Sequence, residues 1–127
     1  MAHNQQLVIQ GHTFTIDKKY DLSSAKILGR GSFGVVTTAV DPDMKQTIAI
    51  KRIRPYSNDE WDARHTIREI RLMKLLKDHP NVITLFDLSL FEPKAELYMM
   101  MEVRNKELCQ LYILQFNIIM IDICIYL

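Results

Sequence analysis

Gly29, Gly31 and Gly34 are followed, a strand's length later, by a single lysine in the apolar run Ile48-Ala49-Ile50-Lys51. Backbone without side chains can fold closely over a polyphosphate, and a lysine within reach supplies the charge that α- and β-phosphates require. The pair reads as a nucleotide-phosphate clamp. The residues directly after the last glycine select the kind of clamp. A dinucleotide-binding triplet opens a helix whose N-terminus holds the pyrophosphate, whereas Val35-Val36-Thr37-Thr38-Ala39-Val40 is β-branched and strand-like. A P-loop needs lysine and a hydroxyl residue directly after its final glycine, where Val35 and Val36 stand instead. The glycine segment is therefore expected to cap a β-hairpin.

Such a clamp needs a sheet beneath it. Ala25-Lys26-Ile27-Leu28 leads into the turn as a first strand, and Val35 to Val40 returns as a second. Asp41-Pro42-Asp43 supplies turn chemistry before Thr47 to Ile53, a third strand on which Ala49 and Lys51 share one face. The small Ala49 leaves room for a flat ring beside Lys51, and Val36 can cover that ring, so both are candidate adenine contacts. Ser57 and Glu60 have capping-box spacing and open a helix expected over 60–76, ended by Pro80. Ile67, Ile70, Met73 and Leu76 recur at helical spacing as an expected buried stripe. Glu69 has Thr66 and His65 behind it and Leu72 and Met73 ahead, so no lysine or arginine serves it on its own helix. Lys51 is its expected partner, an ion pair that would hold the amine toward phosphate. After His79-Pro80-Asn81, Val82 to Leu88 and Leu97 to Val103 read as further strands, completing five strands and one helix.

The 127 residues allow one domain, or one unit with a tail. Sixteen basic residues against fifteen acidic leave a charge of +1, so nucleic acid and anionic membrane are not expected partners. Met1-Ala2-His3-Asn4-Gln5 lacks the basic and apolar regions of a secretory signal, and Cys109 and Cys124 are read as reduced thiols. An intracellular place, cytoplasmic or nuclear, is expected. With no CxxC spacing and no grouping of His3, His12, His65 and His79, no protein-ligated metal is expected.

Residues 24 to 103 resemble, motif by motif and in order, the N-terminal lobe of a eukaryotic protein kinase: the glycine loop, Ala49-Ile50-Lys51, the helix glutamate Glu69, His79-Pro80-Asn81, and the strand ending Met101-Glu102-Val103. Thr66-Ile67-Arg68-Glu69-Ile70, with Phe14-Thr15-Ile16 and Tyr20 ahead of the first strand, is similar to the MAP kinases of the CMGC group. His65 departs from that pattern, since many MAP kinases carry there an arginine that receives the activation-loop phosphate together with one matching Arg68. The resemblance implies an α+β kinase N-lobe, a five-stranded antiparallel sheet with one αC-type helix and without the C-terminal lobe. It divides the chain into an N-terminal extension (1–23), an ATP-binding lobe (24–103) and a divergent hydrophobic tail (104–127).

The resemblance also implies roles. Gly29, Arg30, Gly31, Ser32, Phe33 and Gly34 would cover the ATP phosphates, and Val35 belongs to the same cofactor-binding stretch. Lys51 would contact the α- and β-phosphates and Glu69 would lock it, the two being the catalytic candidates. Leu28, Val36 and Ala49 would line the adenine pocket with Met101 behind it as gatekeeper, while the Glu102 carbonyl and the Arg104 N–H would bond the ring. Met73 and Leu85 would join a hydrophobic spine. The implied activity is transfer of the ATP γ-phosphate to protein serine or threonine with Mg2+, and the implied partners are protein substrates and an upstream kinase.

No His-Arg-Asp, Asp-Phe-Gly or Ala-Pro-Glu occurs in the sequence, so a general base and the magnesium ligands are missing from it and negligible phosphoryl transfer is expected of this chain alone. The isoleucine-rich run from Leu111 to Leu127, broken by Gln115, Asn117 and Asp122, is too short and too polar for an expected membrane span. It is read as translation past a splice junction or a truncated gene model, and such a run either covers apolar surface or aggregates. Two functions stand beside each other: a serine/threonine kinase represented in part, and a short non-catalytic module that binds ATP or a kinase. A dinucleotide-dependent dehydrogenase is a distant third.

Overall fold

The computed structural model describes residues 3–31, 34–54, 60–79 and 83–103. Ser32, Phe33, Ser57, the Pro80-Asn81-Val82 segment, Arg104, both cysteines and the tail lie outside them.

Alternation dictates the architecture. Strands β3 (Ile27–Gly31), β4 (Gly34–Asp41), β5 (Gln46–Ile53), β6 (Leu85–Phe91) and β7 (Glu96–Glu102) form one antiparallel sheet in the order β3-β4-β5-β7-β6. Strands β4, β5 and β7 are buried almost end to end, as strands must be when both faces of a sheet are covered. On one face Val35, Ala39, Ile48, Ile50, Tyr98 and Met100 pack beneath the N-terminal segment. On the other, Leu28, Val36, Ala49, Leu97, Met99 and Met101 form a second cluster with Met73 of the helix. Each strand sends successive side chains to opposite clusters.

The cover on the first face is a hairpin of β1 (Asn4–Ile9) and β2 (His12–Asp17). Its loop is the two residues Gln10 and Gly11, both at positive φ, the geometry that matches the twist of paired strands. Only a short run at Thr13 to Ile16 is legible in the sequence as extended, because Leu7 and Val8 of β1 are exposed and its turn lacks the usual asparagine. Phe14 and Ile16 are fully buried, and Gln5 fastens β1 by donating to the carbonyls of Tyr20 and Asp17.

Helix α1 (Glu60–Leu75) lies against the second face. It stops one residue short of the expected end, and Asp78 follows at positive φ while the His79 N–H donates to the Leu76 carbonyl. The expected buried stripe is corrected: Met73 is buried and Ile70 half-buried, but Ile67 is 49% and Leu76 40% exposed. Ile67 instead lines an apolar groove of about 420 Å³ with Ala63, Ile70, Leu88, Leu90 and Leu97. Strand β6 starts at Leu85, three residues later than expected, after a Thr84–Glu102 contact that closes the sheet edge.

Candidate functional site

Strand β5 runs through the middle of the sheet and carries Lys51 toward the helix. The Lys51 ammonium donates to both oxygens of Glu69, at 3.0 Å to Oε1 and 3.3 Å to Oε2. Both side chains are withdrawn from water, 5% and 13% exposed, so the pair is weakly screened and directional. Glu69 has no lysine or arginine one turn away on its own helix, and the fold brings a cation from 18 residues away in sequence.

The expected ring-binding residues converge on the same face. Lys51 lies between Val36 on β4 and Met99 on β7 as cross-strand neighbours, and Ala49 is directly opposite Met101. Leu28, Val36, Ala49 and Met101 belong to one cluster, in which Ala49 is the smallest member. Met101 is also paired with Leu85 on β6. Glu102 turns its carboxylate back to accept from the Thr84 N–H at 3.3 Å, while its own N–H donates to the Thr84 carbonyl at 2.9 Å.

The glycine hairpin closes at the Gly31–Gly34 pair. A Cβ on Gly34 would stand 2.2 Å from the carbonyl oxygen of Arg52, whereas one on Gly29 would meet nothing within 4 Å. Gly34 is thus required by the neighbouring strand, and Gly29 leaves open space beside Val36, its cross-strand partner. Two expected members do not join the cleft. Val35 alternates to the hairpin face and is buried there, and its partner Arg30 is exposed. Ser32, Phe33 and Arg104 lie outside the described residues.

A second polar group has no counterpart among the expected site residues. Behind Lys51, on the opposite face, Arg52, Glu96 and Tyr98 are buried together against β2. The signal for it in the sequence is Glu96, a carboxylate placed directly before the apolar run Leu97 to Met101 and fully buried in the fold. Among the described residues no three His, Cys, Asp or Glu side chains gather where they could hold a metal ion, and no helix there is long and apolar enough to cross a membrane.

A lysine–glutamate pair joining the central strand to the lone described α-helix, beside a glycine-closed hairpin on a five-stranded antiparallel sheet, is the architecture of a kinase N-terminal lobe. The family model of the protein kinase domain matches residues 22–122, and the chain belongs to that family. The match extends past Val103, where the recognisable motifs end. The sequence is MAP kinase-like: it is 31% identical over 107 residues to Extracellular signal-regulated kinase 7 of Drosophila melanogaster, covering 84% of this chain and 12% of that protein. It is 34% identical over 110 residues to Mitogen-activated protein kinase 5 of Arabidopsis thaliana, covering 84% of this chain and 28% of the relative. To Mitogen-activated protein kinase HOG1 of Chaetomium globosum it is 38% identical over 112 residues, covering 87% and 30%. The chain thus spans less than a third of the length of each of these relatives.

Proposed function

We propose that this chain is the ATP-binding part of a serine/threonine protein kinase of MAP kinase type, in which Lys51 binds the α- and β-phosphates and Glu69 fixes Lys51. The observation that carries this reading is the two-oxygen contact between Lys51 and Glu69 at 3.0 and 3.3 Å on the face that holds Leu28, Val36, Ala49 and Met101. An extended lysine whose charge is already balanced by a carboxylate loses little conformational freedom when a phosphate joins it. The apolar patch of Leu28, Val36, Ala49 and Met101 offers a flat, desolvated surface for adenine, with the backbone of Glu102 at its edge.

When bound, ATP would supply the transferable phosphoryl group, and the residues of this chain would orient it. Magnesium would have to be held by groups other than the described ones. A cytoplasmic or nuclear place, protein substrates and an upstream kinase belong to this reading of the longer relatives.

The test is a thermal-shift titration with ATP. At a concentration 100 times the dissociation constant, about 2.7 kcal/mol of stabilisation is expected for the native chain. Lys51→Met should abolish the ATP-dependent shift, whatever its melting temperature without nucleotide. Equal shifts in both proteins would refute the assignment of Lys51.

A further inference from the structure

Two adjacent cations on β5 each meet a glutamate on their own side of the sheet. Lys51 meets Glu69 in the cleft. Arg52, 9% exposed, turns to the hairpin side, where its Nε lies 3.8 Å from Oε2 of Glu96 and its guanidinium sits 5.2 Å from the Phe14 ring centre. Its Nη1 donates to the Thr13 carbonyl. Tyr98, the cross-strand neighbour of Arg52, donates to Glu96 Oε2 at 3.0 Å and accepts from the Thr15 N–H at 2.9 Å.

Stability does not explain this group. Desolvating two charges is costly, and the pair that offsets it is imperfect, since Arg52 Nε and Glu96 Oε1 have no hydrogen-bond partner among the described residues. Direction is what it adds. Apolar burial is non-directional, and the strands concerned are apolar on both faces through Ile48-Ala49-Ile50 and Met99-Met100-Met101. A one-residue slip of β5 would exchange its faces. Slipped one way, Arg52 would take the place of Lys51 opposite Glu69; slipped the other way, Lys51 would take the place of Arg52 beside Glu96; in either case one cation remains on each side. Charge alone therefore does not choose among these registers. Shape does, because the planar guanidinium can engage a carbonyl, an aromatic face and a carboxylate together, which a lysine ammonium in its place cannot.

We propose that Arg52 is a positioning residue: with Glu96 and Tyr98 it keys β5 and β7 to the N-terminal hairpin and so keeps Lys51, rather than Arg52, opposite Glu69. The functional consequence, that the hairpin belongs to the nucleotide site without lining it, rests on the ATP reading above.

The test uses no nucleotide, so it stands or falls apart from that reading. Amine acylation of the full chain is followed residue by residue by mass spectrometry, with exposed Lys26 as internal reference and Glu69→Gln setting the rate of a Lys51 freed from its partner. The double variant Arg52→Met/Glu96→Leu removes both buried charges at once. It is expected to melt no lower than the native chain, yet to acylate Lys51 roughly tenfold faster relative to Lys26, as a strand sampling two registers would. Arg52→Lys, which keeps the charge and loses the planar fork, should be acylated comparably at positions 51 and 52. A folded double variant in which Lys51 stays as protected as in the native chain would overturn the proposal. So would a double variant that fails to fold, since the pair would then serve stability rather than register.

Discussion

Gly34 and Gly29 show that one motif can hold residues for different reasons. At Gly34 an added Cβ would meet the Arg52 carbonyl at 2.2 Å, a distance that only movement of β5 could relieve. Gly34→Ala should therefore cost about 1–3 kcal/mol of stability by overpacking, read by chemical denaturation. Gly29→Ala, with nothing within 4 Å, should leave the denaturation midpoint nearly unchanged and, on the ATP reading, weaken nucleotide binding. A reversed order of the two costs would separate the motif from the packing described. Tyr98 gives a second residue-level expectation. Burial, reinforced by Glu96 against the lowering effect of the Thr15 N–H, pushes its hydroxyl from 10.0 up to about 12. The folded chain thus holds a proton that the unfolded chain releases, so the contribution is intact below pH 10 and is lost as pH rises toward 12. Tyr98→Phe should flatten this alkaline loss, measured as denaturation midpoint against pH. A residual slope should remain from Tyr20, raised by burial and by Asp87. The Lys51–Glu69 pair is legible in the sequence because a carboxylate without a local cation, on the same helix as buried Met73, demands a remote partner. Val35 is not separable there from Val36, because a motif names positions and only strand pairing assigns their faces.

At the scale of elements, the hairpin decides most. Without β1 and β2, the cluster of Val35, Ala39, Ile48, Ile50, Tyr98 and Met100 would lose its cover. Fully burying one such large apolar side chain contributes about 1.5–3 kcal/mol, and a whole domain is stable by about 5–15 kcal/mol. A chain starting at residue 24, the boundary suggested by the motifs, is therefore expected to precipitate or to lack a cooperative unfolding transition, checked by calorimetry on the soluble fraction. A sharp transition equal to that of the full chain would show the hairpin to be dispensable. The five strands of the main sheet are legible from β-branched and apolar runs between turn residues, and the helix from its period. The hairpin is not, since β1 buries only Ile9 among its apolar residues and offers no alternation to read. The face of the helix is misjudged for a related reason. Period locates apolar residues on a cylinder, but it does not show that Ile67 borders an open groove facing Leu88 and Leu90 or that Leu76 lies past the last helical residue, and both are exposed.

For the whole molecule, the sheet is a partition with one cation on each side of its central strand, and on the ATP reading the cleft side, that of Lys51, is the one that receives phosphate. On that reading, positioning by Lys51 and Glu69 would be one part of phosphoryl transfer. Proton removal from the acceptor hydroxyl and metal neutralisation of the transferring group are others, and neither a His-Arg-Asp nor an Asp-Phe-Gly occurs in these 127 residues. Loss of a positioned general base alone costs about 10²–10⁴ in rate, and loss of the metal adds to it. The 127-residue polypeptide, given ATP, Mg2+ and a generic protein substrate, should transfer labelled γ-phosphate no faster than its Lys51→Met variant, even where the thermal-shift titration records ATP binding. Incorporation above that of the variant would mean that a base and a metal site are assembled from residues other than the described ones, and the division between binding and catalysis drawn from the motifs would fail.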